Sequence, residues 1–225
     1  MRRRVVRAPS KPHASAPVSQ DEYMPIEEPL AGGNLNPAVA KVGANVHRAA
    51  GPWTPAIHQL LDHLAAAAYP APRVVGVDDS GREILTFIPG SCVEPDHMDL
   101  IDTDDAMRRV GALIADDHVA QESFVAHQDA RWREEGRDPS GSSEIIAHND
   151  FAPWNLIVHD DEWTFIDWDL AAPGRKMWDL AWALHSFVGL WPDSTLTSQQ
   201  IASRIAAFCD GARVPSDDIP VLLDV

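Results

Sequence analysis

The sequence is poor in the features that several common protein classes require. Its two cysteines, Cys92 and Cys209, lie far apart and form no Cys-x-x-Cys pair, which argues against a structural zinc site and a disulfide framework. No run of 18 apolar residues is present, so the sequence predicts no membrane-spanning helix. The basic N-terminus lacks an apolar stretch long enough for a signal peptide, and the expected location is the cytoplasm.

Positive charge is also scarce. The chain has 18 Lys and Arg residues and 34 Asp and Glu residues, which gives a formal net charge of −16. Such a surface repels nucleic acid and anionic membranes, so we expect neither as a partner. It suits a cationic small molecule instead. Hydrophobic residues make up 45 % of the chain, which is enough for a packed core.

The chain divides into three parts by composition. Residues 1–25 are rich in Pro, Ser and Arg, which predicts a flexible tail. Residues 26–89 contain several strand-like runs and one helix, which is predicted to begin at Thr54-Pro55 with Thr54 as its N-cap. Residues 90–225 contain the longer helical patterns, so a β-rich part is followed by a helix-rich part with a boundary near Pro89-Gly90.

The most informative segment is residues 146–169, which is predicted to fold as strand, tight loop, strand, turn and strand. The loop carries the pattern His148-x-Asp150-x-x-x-x-Asn155, and the last strand ends at Asp167. Because paired strands fix both ends of the loop, we expect Asp150, Asn155 and Asp167 to meet at one end of a small sheet.

These residue types fit phosphoryl transfer from ATP, which requires a positioned hydroxyl and metal ions that neutralise the phosphates. Asp150 is predicted to orient the acceptor hydroxyl and to accept its proton. Asn155 and Asp167 supply the oxygen ligands that Mg²⁺ prefers. Asp169 is either a second metal ligand or a solvated loop acid.

The pattern formed by His148, Asp150, Asn155 and Asp167 resembles the catalytic loop and metal-binding aspartate of the aminoglycoside phosphotransferase family. Further similar stretches are residues 50–61, 84–90 and 172–181, and the resemblance covers roughly residues 30–207. It implies an α+β, two-lobed, protein-kinase-like fold. A small β-rich N-lobe would bind the nucleotide, and a helical C-lobe would hold the catalytic loop, the metal site and the acceptor pocket.

The resemblance also implies roles for residues outside the catalytic loop. Asp179 is expected to brace the loop backbone. His148 is a candidate catalytic residue beside Asp150, although a histidine at such a position more often holds the loop in place than carries protons. The helix from Thr54 offers no Glu as a partner for the expected phosphate-binding arginine. The residues expected to contact the nucleotide, at its phosphates or its adenine, are Arg48, Gly32, Gly33, Phe87 and Ile88.

The predicted function is transfer of the γ-phosphate of ATP (or GTP) to a hydroxyl of a small molecule, with an aminoglycoside or another amino-alcohol as the leading acceptor class. Family members usually continue into further helices that shape the acceptor pocket, whereas the last clear helix here is at residues 201–208. The acceptor and the oligomeric state therefore stay open.

Two other functions stay possible at this point. The first is a catalytically weak nucleotide-binding or regulatory protein on the same fold, since Arg48 has no acid partner on the helix. The second is a metallohydrolase that uses His148, Asp150, His159 and Asp167. Histidine ligands would favour zinc or manganese, whereas the Asp and Asn residues favour magnesium.

Overall fold

The computed structural model describes residues 26–30, 39–190 and 194–224. The first part of the chain forms an antiparallel five-stranded sheet with strand order β1-β2-β3-β5-β4. The predicted tail at residues 1–25 and the predicted phosphate-loop residues Gly32 and Gly33 lie outside the described residues. The five strands are β1 Glu27–Pro29, β2 Ala40–Val42, β3 Asn45–Ala49, β4 Val74–Val77 and β5 Arg82–Thr86.

Helix α1, Thr54–Ala66, connects β3 to β4. It buries an apolar stripe made of Ile57, Leu60, Leu61 and Leu64, as the helical spacing predicted. The predicted N-cap is wrong by one residue, because Trp53 occupies that position and Thr54 is the first helical residue. The Thr54 hydroxyl accepts a hydrogen bond from the Gly51 amide at 2.9 Å, so it closes the preceding turn instead of capping the helix.

The second part of the chain is mainly helical, with two small antiparallel sheets, β6-β8-β9 and β10-β7, embedded in it. Helix α2 begins as predicted after Thr103, whose side chain accepts a hydrogen bond from the Ala106 amide. The elements of this part are β6 Ser91–Cys92, α2 Asp104–Ala120, β7 Ile145–Ala147, β8 Leu156–His159, β9 Glu162–Phe165, β10 Ala172–Gly174, α3 Lys176–Phe187, α4 Ser198–Gly211 and α5 Ile219–Leu223.

Two glycines allow α2 and α4 to cross in close contact. A side-chain carbon at Gly111 would overlap the backbone carbonyl oxygen of Phe208, and one at Gly211 would overlap that of Arg108. The helix backbones therefore touch directly at this crossing. This contact holds α2 beside α3 and beside β7, the strand that precedes the catalytic loop.

The architecture agrees with the predicted α+β class, with a sheet-rich lobe followed by a helical lobe. Pro89 and Gly90, the predicted boundary, lie between the last strand of the five-stranded sheet and β6. Within the described ranges, no helix combines the length and the apolar character needed to cross a membrane.

Candidate active site

The loop from β7 to β8 holds the predicted base and the first predicted metal ligand against each other. The carboxylate of Asp150 accepts a hydrogen bond from Asn155 Nδ2 at 2.7 Å and a longer one from Trp154 Nε1 at 3.5 Å. Asn155 Nδ2 also donates to the Asp150 carbonyl oxygen at 3.0 Å. The amide oxygen of Asn155 takes no part in these bonds, and oxygen of this type is a suitable ligand for Mg²⁺.

The electrostatic environment of Asp150 favours proton acceptance. Burial raises the pKa of its carboxyl above the ordinary value, although the hydrogen bonds from Asn155 and Trp154 act in the opposite direction. A carboxylate with a raised pKa is a stronger base at neutral pH than an ordinary surface aspartate.

Both ring nitrogens of His148 are hydrogen-bonded to backbone groups and hold the loop. Its Nδ1 accepts from the Asp150 amide at 3.3 Å, and its Nε2 lies 3.1 Å from the carbonyl oxygen of Ile166, to which it must donate. Only the neutral ring with its proton on Nε2 makes both bonds, and burial accordingly lowers the pKa of His148. The ring also stacks on Phe151, with 4.3 Å between centroids. His148 therefore positions the loop and the end of β9, and it has no free nitrogen with which to exchange protons.

Asp179 lies fully buried in the first turn of α3 and bonds to the loop backbone. Its Oδ2 accepts from the His148 amide at 3.2 Å, and its Oδ1 accepts from the Asn149 amide at 3.1 Å. His118 Nε2 lies 3.2 Å from the same Oδ2. The expected bracing contact is thus present, and it holds Asn149 in a left-handed conformation with φ of 63°.

Sequence analysis missed a second buried carboxylate, Asp117, on α2. Its Oδ2 accepts from Gln121 Nε2 at 2.7 Å, and Gln121 Oε1 accepts from the Ile146 amide at 2.9 Å. Burial and then the charge of Asp179 raise the pKa of Asp117 well above its ordinary value, which favours the protonated form of the carboxyl. Asp117 lies at helical spacing from the buried Val110 and Ile114. This spacing predicts that its side chain faces inward, and it could have identified the residue from the sequence.

Asp117, His118 and Asp179 together place one potential metal-ligand atom each within 4.8 Å of one another. Both oxygens of Asp179 are already occupied by backbone N–H groups of the loop. This arrangement favours a hydrogen-bonded structural cluster beneath the catalytic loop over a cation site.

Arg48 sits in a cluster of carboxylates that we call the Arg48 cluster: Arg48, Glu83, Asp167 and Asp169. Its Nε donates to Glu83 at 2.5 Å, its Nη1 to Asp167 at 2.7 Å and its Nη2 to Asp169 at 2.5 Å. Burial alone would lower the pKa of Arg48, but the three carboxylates raise it above its ordinary value. Arg48 therefore stays charged and ties the five-stranded sheet to the segment after β9.

As expected, α1 offers no Glu as a partner for Arg48, but Arg48 does have an acid partner. The partner comes from the neighbouring strand, because the register of β3 and β5 places Glu83 directly opposite Arg48. Helix α1 contributes a histidine instead of a glutamate, since His58 Nε2 lies 3.0 Å from Glu83 Oε2. His58, which the sequence suggested was a surface or lobe-packing residue, thus links α1 to the Arg48 cluster.

Asp167 and Asp169 differ in exposure. The Asp167 side chain is 34 % exposed, whereas that of Asp169 is 4 % exposed. The reading of Asp169 as a solvated loop acid is therefore wrong, because Arg48 and the fold bury it. Asp167 has a left-handed backbone with φ of 62°, and its partly exposed carboxylate can offer an oxygen to a cation.

Phe87 and Ile88 are half-buried and follow the end of β5. The Phe87 amide donates to the Ala44 carbonyl oxygen at 2.9 Å, and Lys41 Nζ lies 4.5 Å from the centroid of the Phe87 ring. Their predicted contact with adenine stays a prediction, as do the catalytic, metal and phosphate roles of the other site residues.

Comparison with known proteins identifies the same chemistry class. Residues 115–213 match the model of a phosphotransferase enzyme family. The trifolitoxin immunity protein of Rhizobium leguminosarum bv. trifolii is 33 % identical over 181 residues, which is 78 % of this chain and 65 % of that protein. The chain thus spans slightly under two thirds of the length of this relative.

Solved structures with the same fold are small-molecule kinases. An amicoumacin kinase in complex with AMP-PNP, Ca²⁺ and Ami superimposes with a TM-score of 0.68 and 14 % identity, covering 88 % of this chain and 77 % of the kinase. A microcompartment-associated aminopropanol kinase gives a TM-score of 0.56 and 18 % identity, covering 88 % and 80 % of the two chains. At these identities the likeness shows the fold alone.

The family match over the second half of the chain and the fold match over most of it agree with the catalytic-loop pattern read from the sequence. The chain therefore has the kinase-like fold that its sequence predicted, and residues 115–213 match the phosphotransferase enzyme family.

Proposed function

We propose that this protein is a small-molecule kinase that transfers the γ-phosphate of ATP or GTP to a hydroxyl group, with Mg²⁺ as the metal. The observation that carries the proposal is the geometry of the catalytic loop. Asp150 is held by the Asn155 amide group, and the neighbouring Asp167 carboxylate is partly exposed. The family match and the kinase neighbours support the reaction class.

In this reaction, Asp150 orients the acceptor hydroxyl and accepts its proton as the acceptor oxygen bonds to the γ-phosphorus. The bond from the γ-phosphorus to the bridging oxygen breaks, and the nucleoside diphosphate leaves. Bound Mg²⁺, held by Asn155 and Asp167, would neutralise charge on the phosphates. Arg48 is proposed to contact those phosphates while it holds Asp167 in place.

An aminoglycoside or another amino-alcohol is the proposed acceptor class, because the net charge of −16 favours a cation. The amicoumacin and aminopropanol kinases show that this fold serves such chemistry in other proteins. The immunity protein among the relatives suggests a role in protection, in which phosphorylation would inactivate a toxic compound. The cytoplasm stays the predicted location.

Two structural observations bear on the rival functions. The binding-only alternative was based in part on the missing acid partner of Arg48 on α1, and Glu83 on β5 supplies such a partner. The metallohydrolase alternative needs His148 as a ligand, and both ring nitrogens of His148 are already hydrogen-bonded.

The decisive experiment is a screen for nucleoside diphosphate release across amino-sugars, choline-like alcohols and hydroxylated antibiotics, followed by kinetics of two variants. Asp150→Asn keeps the shape of the side chain and removes the proton acceptor, so kcat should fall by about 10²–10⁴-fold with little change in nucleotide affinity. Asp167→Ala should weaken binding of Mg²⁺ and nucleotide together with turnover.

Asp62→Asn is the matched control, because this carboxylate is exposed on α1 and lies outside the site. Full turnover by Asp150→Asn would show that the proposed mechanism is wrong. Turnover that persists in excess EDTA would exclude the metal assignment. If no acceptor is found and both site variants bind nucleotide like the parent, the binding-only alternative gains and the metal assignment fails.

A further inference from the structure

A groove of about 550 Å³ lies beside the candidate active site. It is formed by the turn before α1 and by residues 130–137, a polar stretch that the sequence suggested was only a loop. This volume falls within the usual range for small-molecule sites. We call it the arginine groove and define it by Trp53, Trp132, Arg131, Arg133 and Arg137.

The arginine groove contains buried hydrogen-bond donors that no described residue satisfies. Arg133 stacks over the Trp53 ring, with 4.3 Å from its guanidinium carbon to the ring centroid. Its Nε and Nη1 are buried without a hydrogen-bond acceptor, and Trp53 Nε1 is in the same state. The nearest carboxylate oxygens lie 3.5 Å away at Glu135 and 3.9 Å away at Asp169. Because unsatisfied buried donors are costly, their presence points to a ligand that accepts hydrogen bonds.

The lining of the groove has a small excess of positive charge on an acidic protein. It contains three arginines and two glutamates, Glu134 and Glu135, although the whole chain has a net charge of −16. Arg137 is paired with Glu134 at 3.1 Å, and Arg133 lies within ion-pair distance of Glu135. Arg131 is exposed and forms no ion pair within the described part of the chain, so Arg131 remains available to an anion.

The arginine groove adjoins the reaction centre. Asp169, which lies 3.9 Å from Arg133, also pairs with Arg48. Farther along the same segment, Gly136 passes close to the Asn149 carbonyl oxygen of the catalytic loop. A small molecule whose hydroxyl reaches Asp150 could therefore extend into the groove.

We propose that the arginine groove binds a carboxylate of the acceptor, next to a flat apolar part of the same molecule that packs on Trp132. A guanidinium whose Nε and Nη1 lack acceptors matches a carboxylate, whose oxygens accept charge-assisted hydrogen bonds. This inference rests on the proposed kinase function and narrows the acceptor class from amino-alcohols to those that also bear a carboxylate.

The test compares two probes that differ only in charge, N-acetyl-L-tyrosine and N-acetyl-L-tyrosinamide. Binding to the full chain is followed through the indole N–H resonances of ¹⁵N-labelled protein, with Trp53→Phe used to assign the signal of Trp53. The acid should bind at least about tenfold more tightly than the amide, since hydrogen bonds to charged groups are strong. Arg133→Gln should reduce this ratio to about twofold or less.

The matched control is Arg213→Gln, because Arg213 is an exposed arginine that pairs with Asp116 away from the groove. It should keep the full preference for the acid. Arg131→Gln, at an exposed position that folding does not depend on, should lower the affinity for the acid by a few fold. This second variant keeps the proposal testable even if Arg133→Gln fails to fold.

Equal binding of the acid and the amide, or no binding of either, would overturn the proposal. An undiminished preference in folded Arg133→Gln would also overturn it, as would displacement of the acid by an equal concentration of inorganic phosphate. AMP-PNP titrations and the Asp150→Asn kinetics test the kinase function separately. Loss of the carboxylate preference with normal turnover would reject the groove assignment alone, and the reverse result would reject the kinase assignment alone.

Discussion

Two buried polar clusters in the candidate active site are built in opposite ways. In the Arg48 cluster, one guanidinium is bonded to three carboxylates, so these bonds join side chains to side chains. Beneath the catalytic loop, the single carboxylate of Asp179 is bonded to two backbone amides. The first arrangement can change when a ligand brings new charge, whereas the second fixes the path of the chain.

The difference also appears in the charge balance. Three carboxylates and one guanidinium give the Arg48 cluster an excess of two negative charges when all are ionised. A divalent cation at Asp167 would offset this excess. Around Asp179, by contrast, burial and the charge of Asp179 raise the pKa of the second carboxyl group, Asp117, which favours its protonated form. Protonation of Asp117 would lower the negative charge of that cluster.

The largest loss of stability is expected when the guanidinium of Arg48, at the centre of the Arg48 cluster, is removed. Arg48→Met would remove the guanidinium that is bonded to the buried carboxylates of Glu83 and Asp169, and breaking a buried ion pair in this way costs about 3–5 kcal/mol. Urea unfolding at pH 7 measures the loss. Arg82→Gln, on the same sheet in an exposed pair with Glu27, is the control and should change little. A cost no greater than that of the control would mean that the Arg48 cluster does not stabilise the fold.

The next largest effect is expected when the backbone brace is removed. Asp179→Ala leaves the His148 and Asn149 amides without an acceptor, which should lower the free energy of unfolding by roughly 1–3 kcal/mol and reduce turnover. Thermal melting and kinetics measure the two effects, with the exposed Asp116→Ala as control. An unchanged melting temperature would contradict the bracing role.

The protonated state of Asp117 predicts a specific pH dependence. Because its folded pKa is raised, its contribution to stability is complete below the unfolded pKa of about 4 and is lost as the pH rises toward the folded pKa. Asp117→Asn retains the shape and cannot ionise. The variant should therefore gain stability relative to the parent as the pH rises above about 4, in paired urea titrations. A difference that stays constant with pH would show that Asp117 is not held protonated.

The smallest effect is expected at the edge of the Arg48 cluster. His58→Gln keeps a donor near Glu83, which also remains bonded to Arg48, so the cost should not exceed about 1 kcal/mol. Urea unfolding measures the free energy of unfolding of this variant and of Arg48→Met, and so compares His58, at the edge of the cluster, with Arg48 at its centre. A cost as large as that of Arg48→Met would place His58, and not Arg48, at the energetic centre.

The parts of the site that sequence reasoning predicted lie close together along the chain. His148, Asp150 and Asn155 share one loop, and Asp167 ends the hairpin that follows, so short-range patterns were sufficient to bring them together. The bracing contact of Asp179 required the family resemblance, because 30 residues separate it from Asn149.

The parts that were missed depend on tertiary packing. Glu83 meets Arg48 only through the register of β3 with β5, which the sequence of either strand does not specify. The N-cap is Trp53 and not the predicted Thr54, because the hydroxyl of Thr54 accepts a hydrogen bond from the Gly51 amide. The arginine groove was not predicted, because its polar sequence carries no periodic signal and because Trp53, which forms its other side, is distant along the chain.

The close crossing of α2 and α4 has a consequence for experiments that score tolerance to random mutation. Any substitution at Gly111 or Gly211 forces a side chain into a backbone carbonyl of the opposite helix, so almost every variant at these positions should lose function. In a selection for activity, Gly111 and Gly211 would then tolerate substitution as poorly as Asp150. Abundance of folded protein, measured in the same library, should separate the two groups, because variants at the crossing should disappear from the folded pool while Asp150→Asn should remain in it.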